Sequence, residues 1–159
     1  MGSVGDWAPN WHAVVVHLPV GLLVSALATD LVALARREPG AAGVLATALQ
    51  TAGAAALLVA YLTGRAAAGE VFAPGLAQGM LHRHWDRALW TVWVVGAATA
   101  GRLAVWWTAG APSRPRLAAL ALAAAAGVAL LTLTADLGGR LVYEHGVGVA
   151  APNLIGRRP

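Results

Sequence analysis

Cysteine and lysine are absent from the 159-residue sequence, and charged residues of either sign are scarce. Without cysteine the chain can form no disulfide, no iron–sulfur cluster and no thiolate metal site. Only 11% of its residues are charged and 58% are apolar, whereas soluble domains contain roughly 25% charged residues. This composition predicts a protein that lies in a lipid bilayer.

Arginine supplies all eleven basic residues, which give the chain a formal net charge of +4. The arginines are scattered between apolar runs and form no basic patch, so we expect no nucleic-acid partner. They are placed like the charges that flank membrane helices, and the tryptophans lie mostly near the ends of the same runs. Both patterns indicate membrane-spanning helices in contact with lipid.

Four segments have the length of a spanning helix, which needs about 20 apolar residues. They cover approximately residues 13–35, 41–63, 88–108 and 117–142. Short segments with proline and glycine join span one to span two and span three to span four, as between antiparallel neighbours. The longer link between spans two and three has room for a short surface helix. We therefore predict one all-α domain over residues 1–159, an integral membrane antiparallel four-helix bundle.

In such a bundle all five histidines fall at the same end. His12 and His17 begin span one, His82 and His84 precede span three, and His145 follows span four. The first span has Arg36 and Arg37 behind it and no basic residue before it, so the positive-inside rule places the two tight turns in the cytoplasm. We expect the histidines and both termini on the outer face of the membrane.

The stretch "HAVVVHLPVG" at residues 12–21 places a proline beside two of these histidines. Pro19 frees the backbone carbonyl of Val15 and disfavours helix at the preceding residue. We expect span one to be kinked or to begin irregularly, with His17 pointing into the bundle and His12 nearer the headgroups. His82 and His84 are two residues apart and point in nearly opposite directions on a helix, so we expect only His84 to face the bundle.

Two further ionisable residues lie inside the spans, toward the end opposite the histidines. Asp30 is in span one and Arg102 is in span three. Burial of either residue without a partner would be expensive in hydrocarbon, so we expect them to meet. Near the histidines, Asp136 can pair with Arg140 one turn later or orient an imidazole, and the local pair is the favoured interpretation.

Neutral imidazole binds metals, including haem iron, without help from cysteine. A haem held by two histidines suits a four-helix bundle, and the spans contain many of the small residues that such a slot requires. Two alternatives remain. The segment "MLHRH" together with His12, His17 and His145 offers ligands for copper or zinc. The third interpretation is a structural anchor without a cofactor, because small residues also promote helix packing in membranes.

Two stretches, "HAVVVHLPVGLLVSALATDLVALA" and "LGGRLVYEHGVGVAAP", resemble a bacterial family of small predicted membrane proteins of unknown function. Its members pair a His-Pro-x-x-x-His-x-Pro-like opening with a Gly-Gly-x-Leu-Val-Tyr-x-His-Gly-Val-Gly-Val close. This chain has alanine where the family has proline after the first histidine. The resemblance covers nearly the whole chain and implies functional histidines at four positions: His12, His17, His84 and His145.

The family's architecture is similar to that of the four-helix b-type cytochromes, which implies haem-mediated electron transfer in a bacterial inner (plasma) membrane. Those cytochromes place histidines near both membrane faces, whereas this chain has them near one. We therefore expect haem b near the outer face, as one group or two. His17 with His84 is the first axial pair that we predict, and His12 with His145 is the second. The expected role is a non-catalytic subunit of a larger complex with a redox protein partner, and quinone is a further candidate partner.

Overall fold

The computed structural model describes residues 10–37, 40–69 and 75–149. Within these ranges the chain forms two helices in its first apolar run and one in each of the other three. In chain order they are α1 (Trp11–Val15), α2 (His17–Arg36), α3 (Gly40–Ala68), α4 (Leu76–Ala109) and α5 (Arg114–Tyr143). With α1 and α2 counted as one segment, all four are long and apolar enough to cross a membrane. The predicted all-α membrane bundle is confirmed.

The first span begins irregularly, as Pro19 predicts. Helix α1 ends at Val15, the residue whose carbonyl the proline leaves without an amide partner, and α2 begins two residues later. Val16 between them keeps helical dihedral angles, and its amide bonds to the carbonyl of His12. The break is therefore a local disturbance, and α1 and α2 act as one span.

The helices extend beyond the predicted spans at both ends. Helix α3 has 29 residues and α4 has 34, lengths of about 44 and 51 Å at 1.5 Å per residue. Helix α4 begins at Leu76, so the surface helix expected in the long link is the first part of α4 itself. Pro115 occupies the first turn of α5, where its missing amide leaves no bond unmade.

The four long helices pack in a closed square. Helices α2 and α4 each contact both α3 and α5, so α2 and α4 lie on one diagonal. We call the end that contains α1, the start of α4 and the end of α5 the histidine end. The opposite end, with the connections α2–α3 and α4–α5, is the turn end. This antiparallel order places all five histidines at one end.

The bundle has apolar side chains outside and several polar ones inside, which is the distribution expected in a bilayer. Large apolar side chains such as Leu31, Leu45, Trp93 and Leu122 are exposed. The buried polar or charged residues are Asp30, Gln50, Thr91, Thr99, Arg102 and Thr134. Polar groups in hydrocarbon are expensive unless they are paired. These buried polar residues are therefore candidates for a functional role.

Candidate functional site

His12 is fixed against the second span. Its ring Nδ1 lies 2.9 Å from the backbone carbonyl oxygen of Ala60 on α3, and the residue is half-buried. One turn further along α3, Gly64 leaves space for the ring: a Cβ there would lie 3.0 Å from both Cε1 and Nδ1 of His12. The imidazole thus occupies a position that any larger residue at Gly64 would crowd.

His84 is fixed against the fourth span in the same way. Its Nδ1 lies 3.0 Å from the backbone carbonyl oxygen of Thr134 on α5. One turn further along α5, a Cβ on Gly138 would lie 3.2 Å from Cε1 of His84, whereas a Cβ on the adjacent Gly139 would meet nothing within 4 Å. Of the two consecutive glycines, only Gly138 makes room for the ring.

These contacts determine the state of both rings. A carbonyl oxygen can only accept a hydrogen bond, so Nδ1 must carry the hydrogen, and the lone pair of the neutral ring is then on Nε2. Neither Nε2 has a hydrogen-bond partner within the described residues. The structure therefore holds two oriented imidazoles at the same end of the bundle, each with an available ligand nitrogen.

The other histidines are placed differently. His17 is exposed on α2, so the expectation that it points into the bundle is wrong. The break at Val16 and Pro19 leaves His12, five residues earlier, as the residue that reaches the neighbouring span. His82 is exposed and packs edge-on against Trp85, with ring centroids 5.6 Å apart. His145 is half-buried beyond the end of α5.

The contacts favour His12 with His84, which is neither of the two axial pairs predicted from the sequence. No contact among the described residues tests the predicted pairs, His17 with His84 and His12 with His145, and both stay predictions. His84 faces the bundle, as expected from its position opposite His82. The residues missed in the sequence are the two carbonyl acceptors and the two glycines. Their sequence signal is a pair of twelve-residue segments that begin and end with glycine, "GAAALLVAYLTG" and "GVALLTLTADLG".

The closing motif "HGVGV" turns the chain back onto the histidine end. Gly146 and Gly148 have φ of 63° and 76°, a region that favours glycine. Between them, Val147 packs against a cluster formed by Met80, Leu137 and Leu141. This contact joins the first turns of α4 to the last turns of α5, beside the elements that hold His84.

The charged side chains near this end form a local pair. Arg140 donates from Nε to Glu144 Oε1 at 2.8 Å, and both side chains are about half exposed. This bond lowers the pKa of Glu144 below its ordinary value. The favoured pairing of Arg140 with Asp136 is therefore wrong, because the bond forms with the residue one turn later. Asp136 itself is exposed.

The expected meeting of Asp30 and Arg102 is confirmed near the turn end. Both side chains are fully buried, and Arg102 binds both carboxylate oxygens, with Nη1 2.9 Å from Oδ1 and Nη2 on Oδ2. The bidentate geometry is the strong form of this pairing. It also links α2 to α4 across the diagonal of the bundle.

The donor set at the histidine end fits haem iron on chemical grounds. Haem binds two axial ligands, and a histidine ligand coordinates through one ring nitrogen while the other donates to a carbonyl or carboxylate. His12 and His84 both satisfy this description. Among the described residues no group of three or more histidine, aspartate or glutamate side chains is arranged to hold a metal ion.

The chain belongs to a family of predicted membrane proteins, DUF2231, whose model matches residues 8–151. The match covers all four spans and both histidines of the site. No curated protein and no solved structure matches the chain at a significant level.

Proposed function

We propose that this protein binds one haem b between His12 and His84 and serves as an electron-transfer subunit in the membrane. One observation carries the proposal. Two histidines from diagonally opposite spans each donate from Nδ1 to a helix carbonyl and keep Nε2 for a ligand. Axial ligation of a haem needs two imidazoles of this kind, each with a free ring nitrogen.

The number of ligands favours haem over a bare metal ion. A porphyrin supplies four ligands to its iron, and two histidines complete the set. Protein zinc sites use three or four side-chain ligands. His12 and His84 are held against neighbouring helices by hydrogen bonds, and this pair of ligands suits haem iron better than zinc.

The chain's own residues have three tasks in this proposal. The carbonyls of Ala60 and Thr134 fix the tautomer and direction of each ring. Gly64 and Gly138 let the rings lie close to α3 and α5. The buried apolar cluster of Met80, Leu137 and Leu141 lies beside the elements that hold His84 and would limit the access of water there. Haem bound there would supply a one-electron carrier whose potential depends on ligands, burial and hydrogen bonds.

The location of His12 and His84 suggests at which end of the bundle an electron partner docks. His12 and His84 lie near the histidine end, so a redox protein docked at that end would approach the site most closely. The arginine pattern favours this end as the outer face of a bacterial inner membrane. We propose a redox protein or larger complex as the electron partner there, with quinone as a further candidate.

The test is a dithionite-reduced minus oxidised spectrum of detergent-purified protein from haem-replete cells, with a pyridine haemochrome assay. We expect a b-type α band and one haem per chain. His12→Ala and His84→Ala should each remove the band. His17→Ala and His82→Ala are matched controls, because each changes an exposed histidine close to a proposed ligand, and both should keep it.

Other outcomes discriminate between the alternatives. Loss of the band in His17→Ala with retention in His12→Ala would restore the pairing of His17 with His84. A colourless wild-type protein, purified with its partners retained, would overturn the haem proposal. Elemental analysis of that colourless protein would then separate a copper or zinc site from a structural anchor.

A further inference from the structure

Several positions of the two helical hairpins correspond in sequence and in depth within the bundle. Positions in α1 and α2 match positions in α4 that lie 72 residues later in the chain (12 and 84). His12 corresponds in this way to His84. His12 donates to a carbonyl of α3, and His84 donates to a carbonyl of α5. The same separation relates three pairs that lie inside the bundle: His12 and His84, Leu23 and Val95, Asp30 and Arg102.

Helices α3 and α5 match with a separation of 74 residues (64 and 138). Each helix contains a glycine one turn beyond the carbonyl that accepts from the histidine, and a second glycine eleven residues before that one. The equivalent pairs are Gly53 and Gly127, Leu57 and Leu131, Ala60 and Thr134, Gly64 and Gly138.

Two of the equivalent glycines make similar contacts. A Cβ on Gly53 would lie 2.8 Å from side-chain atoms of Leu23, and a Cβ on Gly127 would lie 2.9 Å from Cγ2 of Val95. Both glycines thus let the preceding long helix approach closely, at the same depth in each hairpin. The central core cluster consists of two equivalent pairs: Leu23 with Val95, and Leu57 with Leu131.

The packing order is the one that a two-fold symmetry would produce. Helices α2 and α4 are diagonal partners in a closed square, and a two-fold axis along the bundle would exchange the hairpins. A residue near that axis meets its own equivalent on the other hairpin. Asp30 and Arg102 are such a pair, in direct contact and fully buried. In a symmetric pair of identical hairpins, the same position would bring together two carboxylates or two guanidinium groups.

We propose that the two hairpins are copies of one ancestral unit. Asp30 and Arg102 let each hairpin pair with the other one and prevent it from pairing with a second copy of itself. Each hairpin then accepts the other as its partner, and pairing with a second copy of itself places like charges in contact. Buried polar residues at an interface between similar helices select partner and register in this way. The inference does not depend on haem.

An exchange of the two charges tests the proposal in the full-length chain. Asp30→Arg and Arg102→Asp each create a like-charged pair, and we expect both variants to lose most of their monodisperse protein in detergent. Any folded remainder should melt about 10 °C lower than the wild type. The double variant Asp30→Arg/Arg102→Asp should recover the wild-type yield and melt within about 3 °C of it, because the proposed symmetry makes the two positions equivalent.

The result that overturns the proposal is a double variant no better than the single variants. That outcome would mean that the surroundings of the two positions differ and that the hairpins are not interchangeable there. An uncharged pair, Asp30→Leu/Arg102→Met, serves as the folding control, since it has no charge to exchange. If it folds while the exchanged pair does not, the equivalence of the positions is refuted, and misfolding from any change at this site is excluded as the cause.

Discussion

The histidine end and the turn end both bury polar side chains, but they satisfy them differently. At the turn end, Asp30 and Arg102 use each other: both carboxylate oxygens accept from the guanidinium group. At the histidine end, His12 and His84 each use one nitrogen on a helix carbonyl. At the turn end the carboxylate of Asp30 is therefore fully paired, although Nε of Arg102 is buried without a partner among the described residues. The histidine end keeps two ring nitrogens available.

This difference separates a structural contact from a candidate binding site. A closed ion pair joins two helices and leaves no oxygen of Asp30 for a ligand. An imidazole that donates a hydrogen bond from Nδ1 is held in one orientation, and its Nε2 is still free to coordinate a metal. By burial of polar groups alone, the turn end would be the stronger candidate for a binding site. The histidine end is the stronger candidate because its ring nitrogens are free to coordinate a metal.

The largest effect is expected at the turn end. Arg102→Leu leaves Asp30 buried without a partner and should lower the free energy of unfolding by about 3–5 kcal/mol. Thermal melts of the detergent-solubilised protein measure it. Arg102→Met combined with Asp30→Leu should restore most of the loss, because two apolar side chains leave no charge unpaired. Equal destabilisation of the single and double variants would show that the pair contributes shape and not charge compensation.

A smaller effect, specific to ligand binding, is expected at the histidine end. Gly138→Ala adds a methyl group 3.2 Å from Cε1 of His84, so the ring must shift by a few tenths of an ångström. We expect about tenfold weaker haem binding, as for other changes to groups that orient a ligand. Haem titration of the purified protein measures this affinity. Gly139→Ala is the matched control with open space around the added methyl, and an equal loss in both variants would remove Gly138 from the site.

A weaker effect tests the support behind His84. Thr134→Val removes a buried hydroxyl that lies 2.9 Å from the hydroxyl of Thr91, but it keeps the carbonyl that accepts from His84. We expect a loss of about 0.6 kcal/mol in stability, the average for hydrogen bonds between membrane helices. The haem spectrum should be unchanged. Thr132→Val, which removes an exposed hydroxyl on the same helix, is the control, and a lost spectrum in Thr134→Val alone would implicate the hydroxyl in the site.

The smallest effect belongs to the exposed pair of Glu144 and Arg140. Because the bond to Arg140 lowers the pKa of Glu144, its contribution to stability is present above the ordinary pKa of the carboxyl group and is lost as the pH falls through the lowered value. Both side chains are about half exposed, so the contribution is weak. Glu144→Gln should melt like the wild type at pH 7. A clearly lower midpoint would show that this pair anchors the end of α5.

Much of the architecture was predictable from local patterns. Apolar runs of membrane-spanning length gave the four spans, and Pro19 gave the irregular start of the first one. The pairing of Asp30 with Arg102 was also predictable, because neither charge has an inexpensive alternative in hydrocarbon. The start of α4 at Leu76 was not, since a polar link carries no marker of where a long helix begins.

The choice among the histidines could not be made from spacing alone. His12 and His17 are both near the start of span one, and a kink at Pro19 permits either to face inward. Which histidine faces inward depends on which helix lies beside each ring. It also depends on whether that helix has a glycine at the level of the ring. Gly64 is 52 positions from His12 and Gly138 is 54 from His84, so each contact exists only in the folded bundle.

The sequence by itself determined that this chain is a four-span membrane protein with its histidines at one end, because hydrocarbon thickness and the cost of polar groups act on each segment locally. The tertiary structure decided which imidazoles are held and which side of each ring is free. That decision requires two helices to bring a carbonyl and a glycine against the same ring, and their packing is a property of the assembled bundle.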